Sequence, residues 1–111
     1  MAKGFGGMPG NMKEMMRQAQ KMQEQIMQAQ ERAKSISEEG SAGGGMVKAV
    51  VNGEYSLQSI SIEREVVDPE DISMLQDLIV AAVNEAVRKV KDAAEEEMNK
   101  VTGGMSIPGL V

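Results

Sequence analysis

Between Asn11 and Ser37, apolar side chains recur at Met12, Met15, Ala19, Met22, Ile26, Ala29, Ala33 and Ile36. The spacing alternates between three and four residues, a heptad pattern held over nearly four heptads. On an α-helix these positions draw one narrow apolar stripe with polar side chains around the rest. Six Gln between positions 18 and 30, together with the Met residues, are good helix formers. The pattern predicts a helix over 11–37 with Asn11 as N-cap. Its seam, centred on Met15, Ala19, Met22 and Ile26, asks for a partner helix from the same chain or from a second copy. On the flank of the seam stand Lys13, Arg17 and Lys21, four residues apart.

The period then changes. Residues 36–41 lead into a glycine-rich turn and are expected to form a short strand. Two β-rich runs follow, Met46 to Val51 and Tyr55 to Ile62, with Asn52-Gly53 between them. Asn-Gly in this setting reads as a two-residue type I′ hairpin. That turn would set Val51 opposite Glu54, Ala49 opposite Ser56 and Val47 opposite Gln58. Val47, Ala49 and Val51 would then share a face with Ile60 and Ile62 and carry the helices. Val50 and Tyr55 would pair on the other face.

Asp68-Pro69-Glu70-Asp71 signals a second helix, with Asp68 as cap and Pro69 at the first position. It is expected to run to about Val101. Its first half, from Ile72 to Val87, is apolar almost all round and should be buried on more than one side. Its second half narrows to Val90, Ala94, Met98 and Val101, and Gly103-Gly104 ends it. The expected fold class is α+β: a long helix, a small antiparallel sheet of two to three strands, and a long second helix. Residues 1–10 read as a flexible Gly-rich arm, 11–102 as one domain and 103–111 as a flexible tail. Narrow seams on long helices cannot be satisfied inside so small a protomer, so a dimer with projecting helices is expected.

Length and composition sharpen this. A chain of 111 residues with one Tyr, one Phe and no Trp must build an aliphatic, Met-filled core. A core of that kind is modest, and oligomerisation is a ready way to bury more apolar surface. With no Cys there is no disulfide framework. No apolar run approaches the length of a membrane span, and the N-terminus lacks a signal-peptide pattern, so a cytoplasmic protein is expected. The net charge is −5, but it is unevenly spread. Residues 1–34 carry six Lys/Arg against three Glu, whereas residues 35–71 carry two basic against eight acidic side chains.

Chemistry is limited by what is missing. With neither His nor Cys, the chain lacks the commonest general base, the commonest metal ligand and the thiolate nucleophile. The acidic clusters Glu38-Glu39, Asp68-Glu70-Asp71 and Glu95-Glu96-Glu97 read as turn, cap and solvated helix surface. No enzyme, cofactor or metal site is expected. The Gly-rich start is no phosphate loop, because no strand precedes it.

The basic residues are the remaining candidates. Arg88, Lys89 and Lys91 each have an acidic neighbour four positions away, in the pairs Glu85–Lys89, Arg88–Asp92 and Lys91–Glu95, so helix stability accounts for them. Lys13, Arg17 and Lys21 differ, because their neighbours in the row are like charges that destabilise a helix slightly. An anionic partner explains the row better. It spans about 12 Å, a fit for two or three phosphates. Without an aromatic platform, base stacking is not expected, and contact would be with the DNA backbone. The competing reading is a helical protein-interaction module, with the adaptable Met-rich seam gripping another protein.

The chain as a whole resembles the YbaB/EbfC family of bacterial nucleoid-associated proteins. The resemblance rests on the Gly-rich start with Asn11-Met12, the helix MKEMMRQAQKMQEQIMQAQ, and GGGMVKAVVNGEYSLQSISIE. It continues in DLIVAAVNEAVRKV and the tail TGGMSIPGL. It implies a homodimer with an α/β core and projecting helices like tweezers, which binds DNA and changes its conformation. It also implies a nucleoid location, roles in nucleoid organisation and gene regulation, and replication or recombination proteins as partners. Lys13, Arg17 and Lys21, with Arg88, Lys89 and Lys91, become the candidate DNA contacts.

Overall fold

Val47, Ala49 and Val51 alternate with more exposed residues along the central strand of the sheet, and all three are buried. That alternation is what one helix-covered sheet face requires. The computed structural model describes residues 9–102. The expected arm and tail otherwise lie outside the described residues. The order is α1 (Pro9–Lys34), β1 (Ser37–Ala42), β2 (Val47–Asn52), β3 (Leu57–Ile62), a 3-10 turn (Arg64–Val66) and α2 (Ile72–Thr102). The three strands form one antiparallel sheet in the order β1-β2-β3. The expected α+β class and the short first strand are therefore both present.

Helix α2 lies across β1 and β2 and leaves β3 largely uncovered. Small residues permit close approach. Ala82 and Ala86 of α2 are fully buried, and Gly40 of β1 faces them. A Cβ at Gly40 would run into the Ala82 carbonyl and the Ala86 amide. Val66 of the 3-10 turn closes the core beside Val47, Ala49 and Ala82. A second cluster joins Val51, Ala86 and Val90, with Ile36 and Val87 at its edge. Burial of each such Val contributes about 1.5–3 kcal/mol.

Several local expectations need correction. Asn11 is not an N-cap but lies inside α1, which is already helical at Pro9. Asp68 does not cap α2. Its carboxylate accepts from the Glu70 amide in a turn (2.9 Å), and the cap is Asp71, whose Oδ1 accepts from the Met74 amide (3.2 Å). Pro69 thus belongs to the turn before the helix.

The Asn-Gly hairpin also differs. Val51 pairs with Leu57, Ala49 with Ile60 and Val47 with Ile62, with an irregularity between Val50 and Val51. Gly53 lacks the positive φ that a type I′ turn demands. Two contacts override the local preference. The Asn52 side chain accepts from the amides of Glu54 and Ser56 (both 3.0 Å), which widens the turn. Gly53 is pinned to the end of α1: its amide donates to the Ile36 carbonyl (2.8 Å), and a Cβ there would strike the Ala33 carbonyl. The slip at Val47 and Ala49 is four residues, an even number, so the faces survive although the partners change. Val50 faces Ser59 instead of Tyr55. Tyr55 sits in the loop with φ 61°, a left-handed conformation that costs a non-glycine residue about 1–2 kcal/mol.

Candidate nucleic-acid interface

The two helices run antiparallel where they meet. Arg32 Nε of α1 donates to Glu97 Oε2 of α2 at 2.8 Å, and Lys100 Nζ reaches the other Glu97 oxygen at 3.2 Å. The Arg32 guanidinium and the Lys100 ammonium hold the Glu97 carboxyl below the usual glutamate range, against the opposing pull of desolvation. Ala29 is buried and Ile26 and Ala33 are half-buried, so the C-terminal part of the seam packs within the protomer.

From that clasp, α1 continues past the end of α2. Every residue from Asn11 to Gln25 is exposed. The seam residues Met12, Met15, Ala19 and Met22 are thus bare, Met15 at 69% exposure. Lys13, Arg17 and Lys21 stand on the same projecting half. At ~100° per residue their mean direction is roughly 180° from that of Met12, Met15, Ala19 and Met22. The row is not beside the seam, as the sequence suggested, but behind it. Arg17 makes a loose pair with Glu14 at 3.8 Å, with both side chains mostly in solvent. Such a pair holds an arginine weakly. Lys13 and Lys21 make no ion pair among the described residues.

The α2 cations separate into two kinds. Lys89 Nζ lies 3.4 Å from Glu85 and donates to the Glu39 carbonyl of β1 at 2.9 Å. The other two expected helix pairs, Arg88–Asp92 and Lys91–Glu95, do not form, and Arg88 and Lys91 are exposed. Arg88 and Lys91 lie ~60° apart around α2, whereas Lys89 points ~160° from Lys91. By helical rise from the clasp, Lys91 and Lys21 are roughly 25 Å apart along the helices. One protomer therefore presents two separate basic patches. Two of the three acidic clusters have structural partners: Glu97 holds the clasp, and Asp68 and Asp71 hold the turn and cap before α2.

The sequence profile of the YbaB/EbfC DNA-binding family matches residues 8–105. The chain belongs to that family. It is 54% identical over 110 residues to a nucleoid-associated protein of Alkaliphilus metalliredigens, covering 97% of this chain and 96% of the relative. It is 52% identical over 107 residues to a nucleoid-associated protein of Caldanaerobacter subterraneus, covering 95% and 96%. Among solved structures, an uncharacterized Helicobacter pylori protein superposes with a TM-score of 0.64 at 22% identity, over 80% of this chain and 94% of that one. At that identity the likeness is one of fold.

In this YbaB/EbfC chain, Tyr55 does not stand on a strand opposite Val50. The structure instead sets it in the β2–β3 loop against α2, in an open groove of about 410 Å³ lined also by Lys91, Glu95 and Met98. The available signal was Asn52 itself, whose side chain can bond the backbone two residues on and so widen a turn.

Proposed function

We propose that this protein is a homodimeric nucleoid-associated protein that binds duplex DNA through backbone phosphates and alters the path of the DNA. The observation that carries the reading is the row Lys13, Arg17 and Lys21, exposed on a helix half in which every described residue from Asn11 to Gln25 is exposed. A basic row on a projecting rod reaches along a groove edge without steric hindrance from the body. Arg88 and Lys91 supply a second patch, and a dimer would present two copies of each. Contacts spread over separated patches favour DNA that bends or reshapes to meet them, and such shape-dependent binding is weakly selective for sequence. The net charge of −5 does not oppose this, since the acidic excess is concentrated in residues 35–71.

The second copy is called for by apolar surface left bare. Ile60 and Ile62 stand on the helix-bearing face of the sheet, yet each is more than a third exposed, because α2 lies mainly over β1 and β2. Ile72, Met74 and Val80 of α2 are exposed as well. A two-fold partner covering β3 and the start of α2 would bury them and mask a free strand edge.

The test is a gel shift of Lys13→Glu/Arg17→Glu/Lys21→Glu against wild type at two salt concentrations. Lost binding with unchanged oligomeric state supports the reading, and unchanged binding removes the α1 row from it. The bare residues Met12, Met15 and Met22 favour a second reading, in which the seam grips a helix of another protein. Failure of the wild type to shift DNA at low salt would favour that one.

A further inference from the structure

Tyr55 has an exposed ring and a backbone conformation that tyrosine disfavours, and it belongs to neither core cluster. The loop nevertheless holds it firmly. Its amide donates to the Asn52 carbonyl (2.9 Å), Asn52 and Ser56 bond across the loop (3.0 Å), and the Asn52 carboxamide takes the flanking amides. Tyr55 thereby lines the same open groove as Lys91, and Arg88 lies about one turn of α2 before Lys91. Both cations are exposed and without ion pairs among the described residues. Among the described residues, neither core cluster includes the ring.

We propose that Tyr55 is itself a DNA contact, with its ring against the sugar–phosphate backbone and its hydroxyl donating to a phosphate oxygen that Lys91 and Arg88 neutralise. This rests on the DNA-backbone reading above and extends it to a residue on the β2–β3 loop. Tyrosine suits the role because it offers a rigid ring at low entropic cost and a polar tip for hydrogen bonding. Tyrosine hydroxyls are among the groups that bond DNA phosphates and position a protein without reading sequence. Glu95 also lines the groove and opposes an anion, so the contact belongs at the Lys91 and Arg88 end.

The chain contains one Tyr and no Trp, so its intrinsic fluorescence reports on Tyr55 alone. The experiment titrates the full-length protein with a duplex and follows both DNA anisotropy and tyrosine fluorescence lifetime. The proposal expects the lifetime to shorten in step with anisotropy. Tyr55→Gly suits the positive φ and keeps the loop, as circular dichroism will report. It should weaken DNA binding about three- to tenfold, and Tyr55→Phe should lose part of that. Saturated anisotropy with an unchanged lifetime, or Tyr55→Gly binding like wild type, overturns this inference and leaves the DNA reading intact. No anisotropy change for wild type overturns both.

Discussion

Lys89 Nζ donates to the Glu39 carbonyl at 2.9 Å and so ties α2 to the strand beneath it. With Glu85 at 3.4 Å, its charge is already matched. Its neighbours Arg88 and Lys91 form no ion pair among the described residues. Lys89→Met is therefore expected to leave DNA affinity within about twofold while lowering stability by under ~1 kcal/mol, the scale of a half-exposed charged bond. Arg88→Glu/Lys91→Glu is expected to weaken DNA binding by tenfold or more on a ~1.4 kcal/mol scale. Fluorescence anisotropy and urea unfolding on the same samples separate the two effects.

The bare strand β3 and the exposed apolar residues of α2 predict association. Sedimentation equilibrium at micromolar concentration should return twice the 11.9 kDa protomer mass. Val80→Glu, which places a charge at a site 57% exposed in the protomer, should shift the protein toward monomer without unfolding it. A wild-type monomer at that concentration would contradict the dimer.

The clasp between the helices carries a pH dependence. Glu97 is held below its ordinary range of about 4.3 by Arg32 and Lys100. A depressed carboxylate contributes stability that is present above its unfolded pKa and is lost as pH falls through the folded value. Glu97→Gln should therefore unfold at a lower temperature than wild type at pH 7. The gap should close as pH drops below the ordinary glutamate range. A gap that stays constant down to pH 3 would place the Glu97 contribution elsewhere.

Gly40 shows how close packing escapes a sequence reading. Nothing around Ser37-Glu38-Glu39-Gly40-Ser41 marks that glycine, because its role is set by Ala82 and Ala86, more than forty residues away. Gly40→Ala forces a methyl group against α2 backbone that cannot yield. It is expected to cost about 3 kcal/mol. Differential scanning calorimetry should record the midpoint falling by ~10 °C or more.

The elements themselves were legible. The heptad pattern from Met12 to Ala33 gave α1, which stops at Lys34 and leaves Ile36 beyond it, and alternation at Val47, Ala49 and Val51 gave β2 with its buried face. What failed was local turn chemistry under tertiary contact. Asn52-Gly53 reads as a tight hairpin until Gly53 is seen against Ala33 and Ile36 of the preceding segment. Asp68 looks like a cap until Asp71 takes the Met74 amide. The candidate interface was half legible. Spacing identified the basic residues, but spacing alone made equivalents of Arg88, Lys89 and Lys91, which have different partners. It also put the α1 row beside the seam when the helical rotation puts it behind.

The most direct measurement of the central claim is the salt dependence of DNA affinity for the wild-type protein. Six phosphate contacts from two α1 rows contribute about −5 to the slope of log K against log salt, and Arg88 and Lys91 make the wild-type slope steeper still. The same slope is expected for duplexes of unrelated sequence, since backbone contacts carry no base information. Lys13→Glu/Arg17→Glu/Lys21→Glu should flatten it. A wild-type slope near zero would contradict the account.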